Sequence, residues 1–153
     1  MQAGDAYQKE LQDTGIQGAF AQKNQLDILV SSLADAQDPD GHLYQLKKNH
    51  PDKAPPCLSS DQWIGDLMYQ PFSGTGPLEV TDGVRAVSLF SIPDLCDFSQ
   101  KTTNSSILVV GPCSICHRSK ARALRPLLER LELQVWTHLV TDARTAEELL
   151  RTA

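Results

Sequence analysis

The run Ile107-Leu108-Val109-Val110 constrains this chain more than any other segment. Four consecutive apolar residues, three of them β-branched, belong to a strand buried in the middle of a sheet. Gly111-Pro112 ends the run, and Ala121, Leu124, Leu127, Leu128 and Leu131 then recur at helical spacing. Pro126 lies inside that stripe and is expected to kink the helix or mark its restart, because it removes a backbone donor. Residues 133–140 read as a second strand and 142–152 as a last helix. Strand, helix, strand and helix at these lengths imply two parallel neighbours with a right-handed crossover. The expected fold class is therefore α/β: a layered α/β/α sheet with a parallel C-terminal βαβα unit and a helical N-terminal region.

The N-terminal expectation comes from Ile16, Phe20, Leu26, Leu29, Val30 and Leu33, whose spacing predicts a helix over 18–35, with a shorter one over 5–13. Asp38-Pro39-Asp40-Gly41 is a turn signal. A short strand is expected over 42–46, then a proline-rich loop to Pro56. Trp63 to Tyr69 fits a helical turn or two, and 70–77 is irregular. Thr81 or Asp82 can cap a short helix, although 86–92 reads equally as a buried strand, which Pro93 closes. The 153 residues make one domain, with 1–50 a mainly helical extension.

With 41% hydrophobic and 22% charged residues, a chain of this length builds an ordinary core. It should bury roughly two-thirds of its unfolded surface, so disulfide staples are not needed and its four cysteines are expected to act chemically. No apolar run reaches the roughly 18 residues of a membrane span, and the N-terminal stretch lacks the order of a secretory leader, so a cytoplasmic location is expected. A formal charge of −5 disfavours a whole-surface nucleic-acid binder. The charge is uneven: net −3 over 1–50, −4 over 51–116 and +2 over 117–153. Arg118, Lys120, Arg122 and Arg125 concentrate the positive end, and a solvated helix face accounts for them better than a nucleic-acid contact.

Pro112-Cys113-Ser114-Ile115-Cys116 stands where the buried strand hands over to the next helix. A helix N-terminus favours thiolates, and one helical turn brings residues three apart to the same face, where two sulfurs can share a Zn²⁺ or form a disulfide. This layout over 81–152 resembles the zinc-dependent nucleobase deaminase superfamily, whose other half-motif is His-x-Glu on a preceding helix. Here that place holds Asp82-Gly83-Val84. The resemblance therefore implies zinc held by Cys113, Cys116 and Asp82, with no glutamate to shuttle a proton. It implies a catalytically degenerate domain, a pseudo-enzyme acting as a non-catalytic binding or scaffold subunit for a protein partner.

Other readings of the same residues stay open. Cys113 and Cys116 could form a thiol-disulfide redox site, with Cys113 the nucleophile. Cys57 and Cys96, or His117, could complete a structural zinc site. Both sulfurs could simply pack, leaving a protein-interaction domain with no site. His42 and His50 are expected at turns or the surface, His138 within a strand, and Trp63 and Trp136 as core anchors.

Overall fold

The computed structural model describes residues 16–151 together with Lys9 and Gln12. The helix expected over 5–13 lies outside the described residues except at those two positions. Two three-stranded sheets organise the described residues. The first joins β1 (Ile28–Ser31), β5 (Ser105–Val110) and β6 (His138–Thr141) in the order β1-β5-β6, all parallel. The second joins β2 (Leu33–Asp35), β3 (Gly65–Leu67) and β4 (Gln70–Phe72), all antiparallel. Among the described residues the α-helices are α1 (Gln17–Gln22), α2 (His42–Asn49), α3 (Ile92–Gln100), α4 (Ala121–Glu129) and α5 (Ala143–Arg151).

The α/β class and the parallel β5-α4-β6-α5 unit are as the sequence predicts. The helix expected over 18–35 is instead α1, a 3₁₀ turn and two strands. Leu26, Leu29, Val30 and Leu33 do fall at helical intervals, but 28–31 also alternates, with Leu29 and Ser31 buried and Ile28 and Val30 exposed. Pairing with β5 exploits that second periodicity, which suits β-branched residues. Residues 42–46, expected as a strand, lie in α2, entered through the turn at 38–41, where Gly41 N–H donates to Asp38 O. Pro93 opens α3 and does not close an element. It sits in the first turn, where a missing N–H costs nothing, behind a reciprocal cap between Ser91 and Asp94.

Residues 63–69, expected as helical turns, supply β3 and the start of a hairpin. Met68 and Tyr69 form its two-residue loop, both with positive φ, 51° and 64°. Such turns are usually Asn-Gly, so the sequence does not announce this one. Gly65 is required where β2, β3 and α4 converge, because a Cβ there would meet Ala34 O at 2.6 Å and Ala123 Cβ at 3.1 Å.

The core is packed by Leu67 and Phe72 from the hairpin, Ile92 and Leu95 from α3, Leu108 and Val110 from β5, and Leu124 and Leu127 from α4. Each such side chain contributes about 1.5–3 kcal/mol relative to exposure. Both tryptophans are anchors: Trp63 Nε1–H donates to Gly65 O and Trp136 Nε1–H to Leu127 O, at 3.0 and 2.9 Å. Pro126 is buried inside α4, which continues past it to Glu129. The parallel sheet buries Leu29, Leu108 and Val110 on one face, while Ile28, Val30, Val109 and Val140 are exposed.

Candidate functional site

Parallel strands gather their C-terminal ends on one edge, and ligands of open α/β sheets bind there. In this chain β1 runs directly into β2 past Ser32, and β5 runs into the 111–120 loop, so the turn after β2 and the loop after β5 meet. Asp38 comes from the first and Lys120 from the second, and Lys120 Nζ lies 3.3 Å from Asp38 Oδ2. Lys120 Nζ also donates to Leu33 O at 3.2 Å. The other carboxylate oxygen, Asp38 Oδ1, accepts from Cys113 Sγ at 2.8 Å and from Asp40 N–H at 3.1 Å. Burial raises the Asp38 pKa, but the donations from Cys113, Asp40 and Lys120 outweigh it and hold this carboxyl below its ordinary value.

Two cavities share this ion pair. The larger, about 860 Å³, is a groove that includes Ser31, Asp38, His42, Asp66, Tyr69 and Lys120 in its walls. The smaller, about 280 Å³, is lined by Asp38, Cys113, Cys116, Arg118, Lys120 and Arg144 among others. A third cavity of about 460 Å³ is walled chiefly by apolar residues such as Leu43, Leu58, Leu78 and Ile92; it shares Tyr69 with the groove but holds neither member of the ion pair.

Asp66 enters the groove from β3 at 6% exposure. Burial pushes its carboxyl up to about 7, against the Tyr69 N–H and Lys120, which lower it, and with the nearby Asp38 charge raising it further. Ser31 Oγ, at the end of β1, is buried with no hydrogen-bond partner among the described residues. Tyr69, on its left-handed hairpin turn, stands edge-on to the His42 ring at 5.2 Å. The groove thus holds an ionised carboxylate, a carboxyl that titrates near neutrality, an ammonium, an unpaired hydroxyl and an aromatic face. A polyhydroxylated molecule can donate to the first two, accept from the third, pair with the fourth and lie against the fifth.

The structure places the sequence candidates differently from expectation. Cys113 and Cys116 are not on a helix, because α4 begins at Ala121. They lie on a tight turn closed by His117 N–H to Cys113 O and Cys113 N–H to Arg118 O, both 3.0 Å. Asp82 is exposed, its carboxylate accepts from Gly83 N–H at 2.8 Å, and it does not line the cavity that holds the two cysteines. Among the described residues no group of three His, Cys, Asp or Glu is placed to hold a metal ion, so the zinc-binding expectation is corrected. Cys57 and Cys96 are free thiols in separate core regions. Three of the four basic residues pair within the chain, Lys120 with Asp38, Arg122 with Asp35 at 3.5 Å and Arg125 with Glu129 at 3.3 Å, and Arg118 and Arg122 lie beside Lys120 in the smaller cavity. Asp38, Asp66, Ser31 and Tyr69 are not among the site residues the sequence suggests, Asp38 being read there only as part of a turn. The one available signal was Asp66, a lone charge inside the apolar run from Trp63 to Tyr69.

No family model and no curated protein matches the chain. Solved structures do. The fold is shared with the sorbitol operon regulator SorC from Klebsiella pneumoniae. The match to SorC has a TM-score of 0.68 at 16% identity, covering 98% of this chain and 43% of that one. A protein assigned as the sor operon regulator of Shigella flexneri matches with a TM-score of 0.64 at 18% identity, covering 94% and 49%. A domain assigned to sugar binding in a transcriptional repressor from Vibrio fischeri matches at 0.59 and 16%, covering 90% and 49%. The chain spans less than half the length of SorC and of the other two. These matches overturn the deaminase resemblance and, with it, the degenerate-deaminase scaffold: the strand, Cys-x-x-Cys and downstream helix belong here to the fold seen in SorC. The resemblance fails because Pro-Cys-x-x-Cys does not open a helix, the next one starting only at Ala121. No helix among the described residues is long and apolar enough to cross a membrane.

Proposed function

We propose that the groove at the C-terminal ends of β1 and β5 binds a small polyhydroxylated ligand, a sugar or sugar alcohol, and that its occupancy is the signal a transcriptional regulator reads. The observation that carries this reading is the buried Asp38–Lys120 pair, with Asp66 and the unpaired Ser31 hydroxyl facing the same cavity. Buried polar groups without protein partners are costly unless something else satisfies them. A ligand with several hydroxyls meets that need, because each hydroxyl both donates and accepts. The matched domain from Vibrio fischeri, assigned to sugar binding in a repressor, supports the same chemistry.

Isothermal titration calorimetry tests the proposal, with D-sorbitol, other hexitols, hexoses and their phosphate esters titrated into the purified chain. The expected result is saturable binding of at least one member with Kd below about 1 mM. That binding should weaken at least tenfold in Ser31→Ala. Failure of every member to bind, or binding indifferent to Ser31→Ala and Asp66→Asn alike, overturns the reading.

A further inference from the structure

We propose that Cys113 and Cys116 form a thiol-disulfide modification site that a low-molecular-weight disulfide oxidises, and that oxidation strips Asp38 of the thiol donor that organises the groove. The regulatory half of this inference rests on the ligand-binding reading above, whereas the thiol chemistry stands independently of it.

The two cysteines are held together by backbone. His117, at a φ of 54°, closes the turn, and Cys116 N–H points at Cys113 Sγ from 3.4 Å. Both side chains line the smaller cavity, where Cys116 is half-buried and Cys113 is 2% exposed. They are also chemically unequal. The Arg118 N–H, and then the Cys113 thiol, lower the Cys116 pKa. Burial, and then the Asp38 carboxylate, raise that of Cys113. The other two cysteines lack this arrangement: burial raises both, and Cys96 Sγ is turned onto Glu132 O at 3.4 Å. An accessible, more acidic thiol beside a buried partner is the arrangement of an attacking and a resolving cysteine.

The steps balance as follows. The Cys116 thiolate attacks one sulfur of the disulfide RSSR, forming Cys116–S–S–R and expelling RS⁻, which takes a proton from water. Cys113, which donates to Asp38 Oδ1 at 2.8 Å, attacks the Cys116 sulfur and gives up its proton to the sulfur that leaves. The second RS⁻ leaves and is protonated. Two protein thiols are oxidised to one disulfide and RSSR is reduced to two RSH. Afterwards Asp38 Oδ1 keeps Asp40 N–H but has lost its thiol donor, next to the carboxylate oxygen that pairs with Lys120. A disulfide across so short a loop returns little stability through chain entropy.

The test treats the full chain with oxidised glutathione, alkylates remaining thiols and measures intact mass and melting temperature. The expected product has lost about 2 Da with Cys57 and Cys96 still alkylated. It melts a few degrees below the reduced protein, and dithiothreitol reverses both changes. Cys116→Ser shows neither change. In Asp38→Asn the disulfide still forms but the melting difference shrinks, because no carboxylate remains to lose its donor. A stable glutathione adduct without closure, oxidation at Cys57 or Cys96 instead, or no reaction overturns the modification site. Closure with the melting temperature unchanged overturns its action on Asp38. If a polyol binds, its Kd should rise at least threefold on oxidation, and an unchanged Kd overturns the regulatory half. If none binds, the mass and melting results decide the chemistry by themselves.

Discussion

Asp38 Oδ2 and Lys120 Nζ, drawn from a turn in the first third of the chain and a loop in the last, stand 3.3 Å apart at 6% and 16% side-chain exposure. Taking two charges out of water this far is favourable only with good geometry and further hydrogen bonds. Asp38 has them, from Cys113 and Asp40, and Lys120 has Leu33 O. Removing one partner strands the other. Lys120→Met should lower unfolding free energy in urea by about 2–3 kcal/mol, less than the full cost of an orphaned buried charge because Lys120 retains some contact with water. Asp38→Asn combined with Lys120→Met should recover part of that loss. A double variant as unstable as the sum of the single variants would show the pair to be uncoupled.

Asp66 makes stability depend on pH in a definite direction. Its folded-state pKa is raised from 3.8 to about 7, so between those values the folded protein holds a proton that the unfolded chain has released. Its contribution is fully present below the unfolded pKa and is lost as pH rises through about 7. Asp66→Asn keeps the acceptor for the Tyr69 N–H and removes the charge. Against wild type, this variant should gain about 2–4 kcal/mol at pH 8 and show little difference near pH 4, read from urea midpoints across the range. Equal effects at both ends would mean that Asp66 is ionised in the fold throughout.

Much of the parallel unit was legible in the sequence because its signals are local and agree with each other. Ile107 to Val110 reads as a central strand, which it is, although only Leu108 and Val110 are buried and Val109 is exposed on the open face, and the stripe from Ala121 to Leu127 has one apolar face. The N-terminal third departs from the expected helix because Leu26, Leu29, Val30 and Leu33 fall at helical intervals while the apolar run Ile28-Leu29-Val30 serves a strand equally well. Only the pairing of β1 with β5, over a sequence separation of 77 from Ile28 to Ser105, chooses between them. The site was hidden for a related reason. Asp38 looks like a turn residue and Lys120 like one of several surface cations, and their meaning lies in a contact across 82 positions. The cysteine pair was visible, but not that its sulfur would face a carboxylate.

Ser31 separates stability from binding. Its hydroxyl is buried and unpaired, so Ser31→Ala should leave unfolding free energy unchanged or raise it by up to about 1 kcal/mol. If the groove takes a polyol, the same change should weaken binding about tenfold, the worth of one hydrogen bond. A variant that loses stability would show that the hydroxyl has a structural partner.

The hairpin turn at Met68-Tyr69 offers the same separation with opposite magnitudes. Two side chains with positive φ cost about 1–3 kcal/mol each, and strain of this kind persists where the residue does something that Asn or Gly could not. Met68 reaches the groove wall, and Tyr69 places its ring against His42 there. Met68→Asn should therefore stabilise by about 1 kcal/mol while keeping the Tyr69 ring in place. Met68→Asn with Tyr69→Gly should stabilise further, because Asn-Gly adopts this turn readily, and should lose most ligand affinity with the aromatic face. Thermal melts and calorimetry on the two variants distinguish the outcomes. Retained affinity in the double variant would reduce Tyr69 to a turn residue with an exposed ring.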